Sequence, residues 1–217
     1  MASTTRRSSV AAGRRAAAEA RTLEVVEDLL RGGASFTELS VERIASEAGL
    51  SRSTFYLYFR DKTELILRLA ASLKTGTFET GLDWGPGGPA DGLDWLAHAY
   101  GRIMRNYRGR SATLAAVLEV AGYDRSVRES LEANQQQFID RIAVRLLAEQ
   151  RAGRTSADFD PLTAAAVLVW GGEQVIARHV TTTVGDGEDA RVARELAASH
   201  WYGVYRRPAE PDGSTPS

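Results

Sequence analysis

Apolar residues in this chain recur at three- and four-residue steps almost from end to end, and no stretch alternates at the two-residue step of a strand. That periodicity leads to an all-α fold of about nine helices. The first is expected from about Arg15 to Arg31, with Ala20, Leu23, Val26 and Leu30 on one face and Gly32-Gly33 behind it. Ser40 is a natural N-cap for a second helix with the stripe Val41, Ile44, Ala45 and Ala48, closed by Gly49. Ser51 caps a short third helix through about Tyr58. Asp61, with Glu64 three residues on, opens a fourth that fades near Gly81.

Gly85-Pro86-Gly87-Gly88-Pro89 then breaks the pattern, as a loop between long helices or as a boundary. A fifth helix carries Leu93, Leu96, Tyr100, Ile103, Met104 and Tyr107, and a sixth Leu114, Val117, Leu118 and Ala121. A seventh carries Leu131, Phe138, Ile142 and Leu146 and ends at Gly153. Asp160-Pro161 starts an eighth that runs to about Thr183, and a ninth spans about Glu188 to Tyr205. Residues 207–217 are Pro-rich and polar, a composition expected to be disordered.

Composition narrows the function classes. A net charge of −1 rules out bulk polyelectrolyte binding, so a nucleic-acid surface must be local. Cysteine is absent, which removes disulfides and thiolate chemistry and suits a reducing cytoplasm. No apolar run reaches the ~20 residues of a membrane span. The three histidines, His98, His179 and His200, lack metal-ligand spacing, and there is no phosphate loop or dinucleotide fingerprint. Asp83, Asp91 and Asp94 read as loop and helix-start residues. The sequence therefore predicts no enzyme, no cofactor and no metal.

Val41–Phe59, VERIASEAGLSRSTFYLYF, carries the functional reading. A helix-turn-helix needs a small residue where its helices cross and a turn residue that tolerates positive φ; Ala45 and Gly49 meet those needs. Leu50 and Phe55 are spaced to bury the second helix of the pair against the first. Arg52, Ser53, Thr54, Tyr56, Leu57 and Tyr58 cannot all face a core on so short a helix. A duplex uses such a set: Arg for guanine, Ser and Thr for base edges or phosphate, Tyr hydroxyls for phosphate. A plain helical hairpin leaves the same set unexplained.

The segment resembles the N-terminal domain of TetR-family transcriptional repressors. The features that carry the likeness are Ile44-Ala45, Ala48-Gly49-Leu50-Ser51, Phe55-Tyr56-Leu57-Tyr58-Phe59 and Lys62, and it covers about residues 16 to 73. The resemblance implies phosphate contacts at Ser40, Arg43, Tyr56, Tyr58 and Lys62, base contacts at Arg52, Ser53, Thr54 and Leu57, and a place for Ser51 in the same DNA-binding set. Leu57 has no hydrogen-bonding group and is limited to a thymine methyl. The placement of Trp95 and the long aromatic-lined helices resemble the ethionamide-resistance repressor branch.

Residues 1–15 are expected to form a disordered basic arm, either a mobile tail or a segment that touches DNA, although its Arg-, Ser- and Ala-rich composition also resembles a transit peptide. Residues 16–62 would be the DNA-binding domain and 63–206 a ligand-binding and dimerisation domain. Trp95, Tyr100, Tyr107, Phe138 and Trp170 are candidate walls of an apolar pocket, with Asn106, Gln135, Glu173 and Gln174 as polar edges. The eighth helix is apolar on more than one face, so pairing with its twin would cover the second face. The expected function is a homodimeric, ligand-responsive repressor on a palindromic operator, released by a small, largely apolar effector. The rival is a helical small-molecule-binding protein or enzyme with no DNA role.

Overall fold

The computed structural model describes residues 2–74 and 92–209, with side chains described from Ala12 to Leu73 in the first stretch. Among these residues there are nine α-helices and no strand: α1 (Ala2–Arg31), α2 (Val41–Glu47), α3 (Arg52–Tyr58), α4 (Lys62–Lys74), α5 (Gly92–Gly109), α6 (Ser111–Tyr123), α7 (Arg125–Arg151), α8 (Pro161–Thr182) and α9 (Asp189–His200). A π turn, Trp201–Tyr205, closes the chain's helical part. The chain divides into two compact units, Met1–Leu73 with Arg110–Ser130, and Lys74–Gly109 with Leu131–Ser217. No helix among the described residues is long and apolar enough to cross a membrane.

In the first unit, α1 packs on α2 and α6, and α2 on α3. Val26, Leu30, Phe36, Leu39, Ile44, Phe55, Phe59, Leu65, Ile66 and Leu69 are buried. Polar ties fix the rim. Arg68 bonds Glu19 at 2.6 Å and Glu64 at 2.8 Å, joining α4 to α1. Arg110 pairs with Glu27 and donates to Ser72 Oγ at 2.6 Å. Thr63 donates to Asp124 at 3.0 Å, and Asp124 caps α7 through the Val127 N–H at 3.2 Å.

In the second unit, Leu96, Ile139, Ile142, Leu146, Ala165, Leu168, Val169, Ala197, Trp201 and Tyr205 form one core. Gly92 lies so close to the Trp201 ring that a Cβ would come within 1.9 Å of it, so only glycine fits there. Asp189 gathers the loop before α9: it accepts from Arg108 Nε at 2.9 Å and bonds His179 Nε2 at 2.8 Å, while Arg108 also donates to the Thr183 carbonyl. These bonds, that to Arg108 foremost, hold the Asp189 carboxyl below its ordinary range. Glu149, almost fully buried, is answered by Arg154 at 2.8 Å and Arg206 at 3.1 Å.

Several boundaries differ from the sequence expectation. The helix expected to begin near Arg15 begins at Ala2, within the stretch expected to be a disordered arm. Residues 2–14 contain no proline, and extending an existing helix costs far less than starting one. The seventh helix starts at Arg125 because Asp124, overlooked in the pattern, caps it. The ninth does not run evenly to Tyr205: the Arg206 N–H reaches back to the Trp201 carbonyl at 2.7 Å, and this wider turn buries both Trp201 and Tyr205. Arg207 is tied down within the expected tail, its carbonyl accepting from the Ser156 N–H at 3.0 Å. The Gly85–Pro89 breaker, Asp83, Asp91, the fourth helix beyond Lys74, the chain beyond residue 209 and the side chains of Arg6 and Arg7 lie outside the described residues.

Candidate nucleic-acid interface and effector cavity

Two caps set α2 and α3. Ser40 accepts from the Arg43 N–H at 3.2 Å and starts α2; Ser51 accepts from the Thr54 N–H at 3.1 Å and starts α3. Between them Gly49 holds φ +70, a left-handed conformation that a side chain would strain. The Leu50 N–H closes the turn on the Ala45 carbonyl at 2.8 Å. Phe55 is the residue α3 buries, fully, and it stacks edge-on against Tyr56 and tilted against Phe59. Burial of one such ring stabilises by about 1.5–3 kcal/mol, enough to set the angle of a two-turn helix.

Everything else on α3 turns outward to some degree. Arg52, Ser53, Tyr56 and Leu57 are exposed, Leu57 to 70 %, and Thr54 and Tyr58 are half-buried. Arg52 pairs with Glu42 of α2 and lies over the Tyr56 ring at 5.8 Å. Both charges of that pair are largely in solvent, so parting them costs at most about 1 kcal/mol. The Ser53 and Thr54 hydroxyls both bond Ser51 Oγ, at 2.9 and 2.8 Å. Arg15 of α1 lies over the Tyr58 ring at 5.9 Å. Ser40 and Arg43 are exposed at the start of α2.

Lys62, expected to hold a phosphate, opens α4 and has protein partners in this structure. Its Nζ donates to the Phe36 carbonyl at 2.7 Å and the Thr37 carbonyl at 3.1 Å, over the Phe36 ring. Partial burial lowers its pKa. It clamps the start of α4 to the loop between α1 and α2.

A second site lies within the second unit. Faces of α5, α7, α8 and the π turn enclose an apolar cavity of about 40 Å³. Tyr100, Tyr107, Phe138 and Glu173, four of the expected pocket residues, line it. Trp95, Trp170 and Gln174 do not. Trp95 packs half-buried against the core, and Trp170 and Gln174 are exposed. The helix period explains the split on α8: Val169, Gly172, Glu173 and Ile176 share the cavity side, whereas Trp170 and Gln174 are each one residue off it. Trp170 instead joins Leu162, Val167 and Val175 in an exposed apolar set on α8.

The cavity's polar groups come in two sets. Tyr100 OH hydrogen-bonds His200 Nδ1, and burial pushes the His200 pKa down to about 4. Glu173 accepts from Gln135 Nε2, and burial foremost, with the Glu173 charge second, raises the Tyr107 pKa. Tyr205, which also lines the space, was not foreseen; it sits in a segment read as plain helix, and only the π turn aims it inward. Among the described residues no group of His, Asp and Glu is arranged to hold a metal ion.

Comparison with known proteins bears on segment 34–69 and on the fold. Residues 34–69, which span α2, α3 and part of α4, match the family described as bacterial regulatory proteins, tetR family. No curated protein sequence matches the chain. GusR of Salmonella enterica is similar in structure, with a TM-score of 0.67 at 20% identity over 87% of this chain and 95% of that one. SmeT in complex with triclosan also superposes at 0.67, with 18% identity over 93% and 98%. A regulator from Saccharomonospora viridis in complex with choline superposes at 0.62, with 18% identity over 88% and 100%. At these identities the likenesses establish the fold.

Proposed function

We propose that this chain, whose segment 34–69 matches the tetR family of bacterial regulatory proteins, is a homodimeric cytoplasmic repressor that binds DNA through that segment and releases its operator when a small molecule occupies the cavity. The observation that carries the reading is α3 itself, which spends Phe55 on the core and turns Arg52, Ser53, Tyr56 and Leu57 outward. In the proposed complex α3 lies in a major groove. Arg52 leaves Glu42 to read a base edge, Ser53, Thr54 and Leu57 contact neighbouring bases, and Ser40, Arg43, Ser51, Tyr56 and Tyr58 hold phosphates. Lys62 contributes chiefly by holding the loop that precedes α2.

The exposed Leu162, Val167, Trp170 and Val175 of α8 support a dimer through the last two helices, since an apolar face of this kind favours a second copy. Two-fold symmetry then calls for a palindromic operator. Support for an effector comes from the apolar cavity and from the triclosan and choline bound by proteins of the same fold. Ordinary ligand sites hold about 300 Å³ or more, so an occupant must push the walls of this small space apart. That links binding to a change of shape. A hundredfold loss of operator affinity requires a coupling of about 2.7 kcal/mol.

Selection of bound fragments from genomic DNA tests the reading. The expected result is enrichment of a palindromic sequence whose binding weakens steeply with salt. A protein that enriches no fragment contradicts it.

A further inference from the structure

The cavity's chemistry narrows its occupant. Its walls are aromatic and aliphatic, with the rings of Tyr100, Tyr107, Phe138 and Tyr205 around the space. Among the described lining residues Glu173 is the one with an acidic side chain, and none is Lys, Arg or His. Glu173 has a neutral partner, the Gln135 amide, and no ion pair joins it to a Lys or Arg among the described residues. Its charge is felt inside, since it opposes ionisation of the buried Tyr107 hydroxyl. Several arginines of this unit have partners other than Glu173. Arg141 lies on the Phe138 ring at 5.5 Å, and Arg154 and Arg206 are spent on Glu149. Arg145 acts on Tyr205 against the opposing charge of Glu149. His200, behind Tyr100, stays neutral near pH 7 because burial lowers its pKa.

We propose that the occupant is a small organic monocation, an amine or quaternary ammonium on an apolar body, with the Glu173 carboxylate as counter-ion and the tyrosine and phenylalanine rings as its cradle; this rests on the effector-binding reading above. Electron-rich ring faces attract a cation, most strongly where water is excluded. Glu173 is half-buried with an amide as its partner, and its carboxylate beside these rings favours a ligand that carries a positive charge. The same carboxylate repels an anion of equal shape, so one residue supplies both the attraction and the exclusion.

Titration of the full chain without DNA tests this, using benzyltrimethylammonium, its uncharged carbon isostere neopentylbenzene, and phenylacetate. The cation is expected to bind at least tenfold tighter than the isostere, and phenylacetate weakest. Glu173→Gln, which keeps the shape and a partner for Gln135, is expected to remove most of the cation's advantage over the isostere. A wild-type protein with no preference for the cation overturns the proposal, whether or not the variant folds. So does a Glu173→Gln protein that keeps the full preference. Preference for the cation without fragment enrichment would leave this site standing and remove the regulator reading. Enrichment without charge preference would do the reverse.

Discussion

His200 shows how burial of a single side chain writes a pH dependence into the molecule. It is 7 % exposed, and its pKa lies near 4 against the ordinary imidazole value of 6.5. Below pH 6.5 the unfolded chain takes up a proton that the folded chain refuses, so this contribution is present at neutral pH and is lost as the solution is acidified. The loss grows by about 1.4 kcal/mol per pH unit and levels off near pH 4, at about 3 kcal/mol in total. Urea unfolding of wild type and His200→Asn at pH 7 and pH 5 checks the sign. The variant is less stable at pH 7, because Tyr100 loses its partner, and the gap narrows by about 2 kcal/mol at pH 5. A gap that widens on acidification would show that His200 is charged in the fold.

At the scale of the element, α3 depends on its neighbours for both position and order. Two turns of helix are too short to stand alone in water. Ser51, Phe55, the left-handed Gly49 and the Lys62 clamp on the Phe36 and Thr37 carbonyls supply what the helix lacks. Lys62→Ala is therefore expected to cost about 1–3 kcal/mol of folding stability, seen as a lower urea midpoint, through the loss of two charged hydrogen bonds. Unchanged stability with uniformly weaker DNA binding would return Lys62 to the phosphate role that the sequence alone implied. The short elements were readable because their signals are local: a cap, a glycine, a small residue at the crossing. Asp61 and Glu64 show the same, the Glu64 N–H meeting Asp61 at 2.7 Å and the Glu64 carboxylate meeting the Arg60 N–H at 2.8 Å. The cavity was only half readable. Periodicity groups Tyr100 with Tyr107 but cannot say which side of α8 faces inward when both sides are apolar, so Trp170 was assigned to the pocket wall and is exposed. Tyr205 and His200 enter through a π turn and a packing partner distant in sequence, which no local pattern records.

At the scale of the whole molecule, the chain passes from one unit to the other after Leu73, after Gly109 and, within α7, after Ser130. In a regulator of the proposed kind, occupancy of a cavity in the second unit must change the readiness of α3 in the first, and α7 is the helix that runs well past a boundary, at Ser130. The ligand needs only to favour the form that binds DNA poorly; it does no mechanical work on the duplex. The first 60 residues carry nine Arg against seven Asp and Glu, so affinity must come from the placement of a few side chains, with bulk charge a minor term. Arg52 is the side chain on which this placement can be judged. Fluorescence anisotropy of the enriched fragment and a scrambled one, across a salt series, compares wild type with Arg52→Ala. The variant is expected to lose about 1–3 kcal/mol on the enriched sequence and much less on the scrambled one, so that its sequence preference shrinks. A folded Arg52→Ala protein that binds both fragments as wild type does would show that the outward face of α3 does not meet DNA.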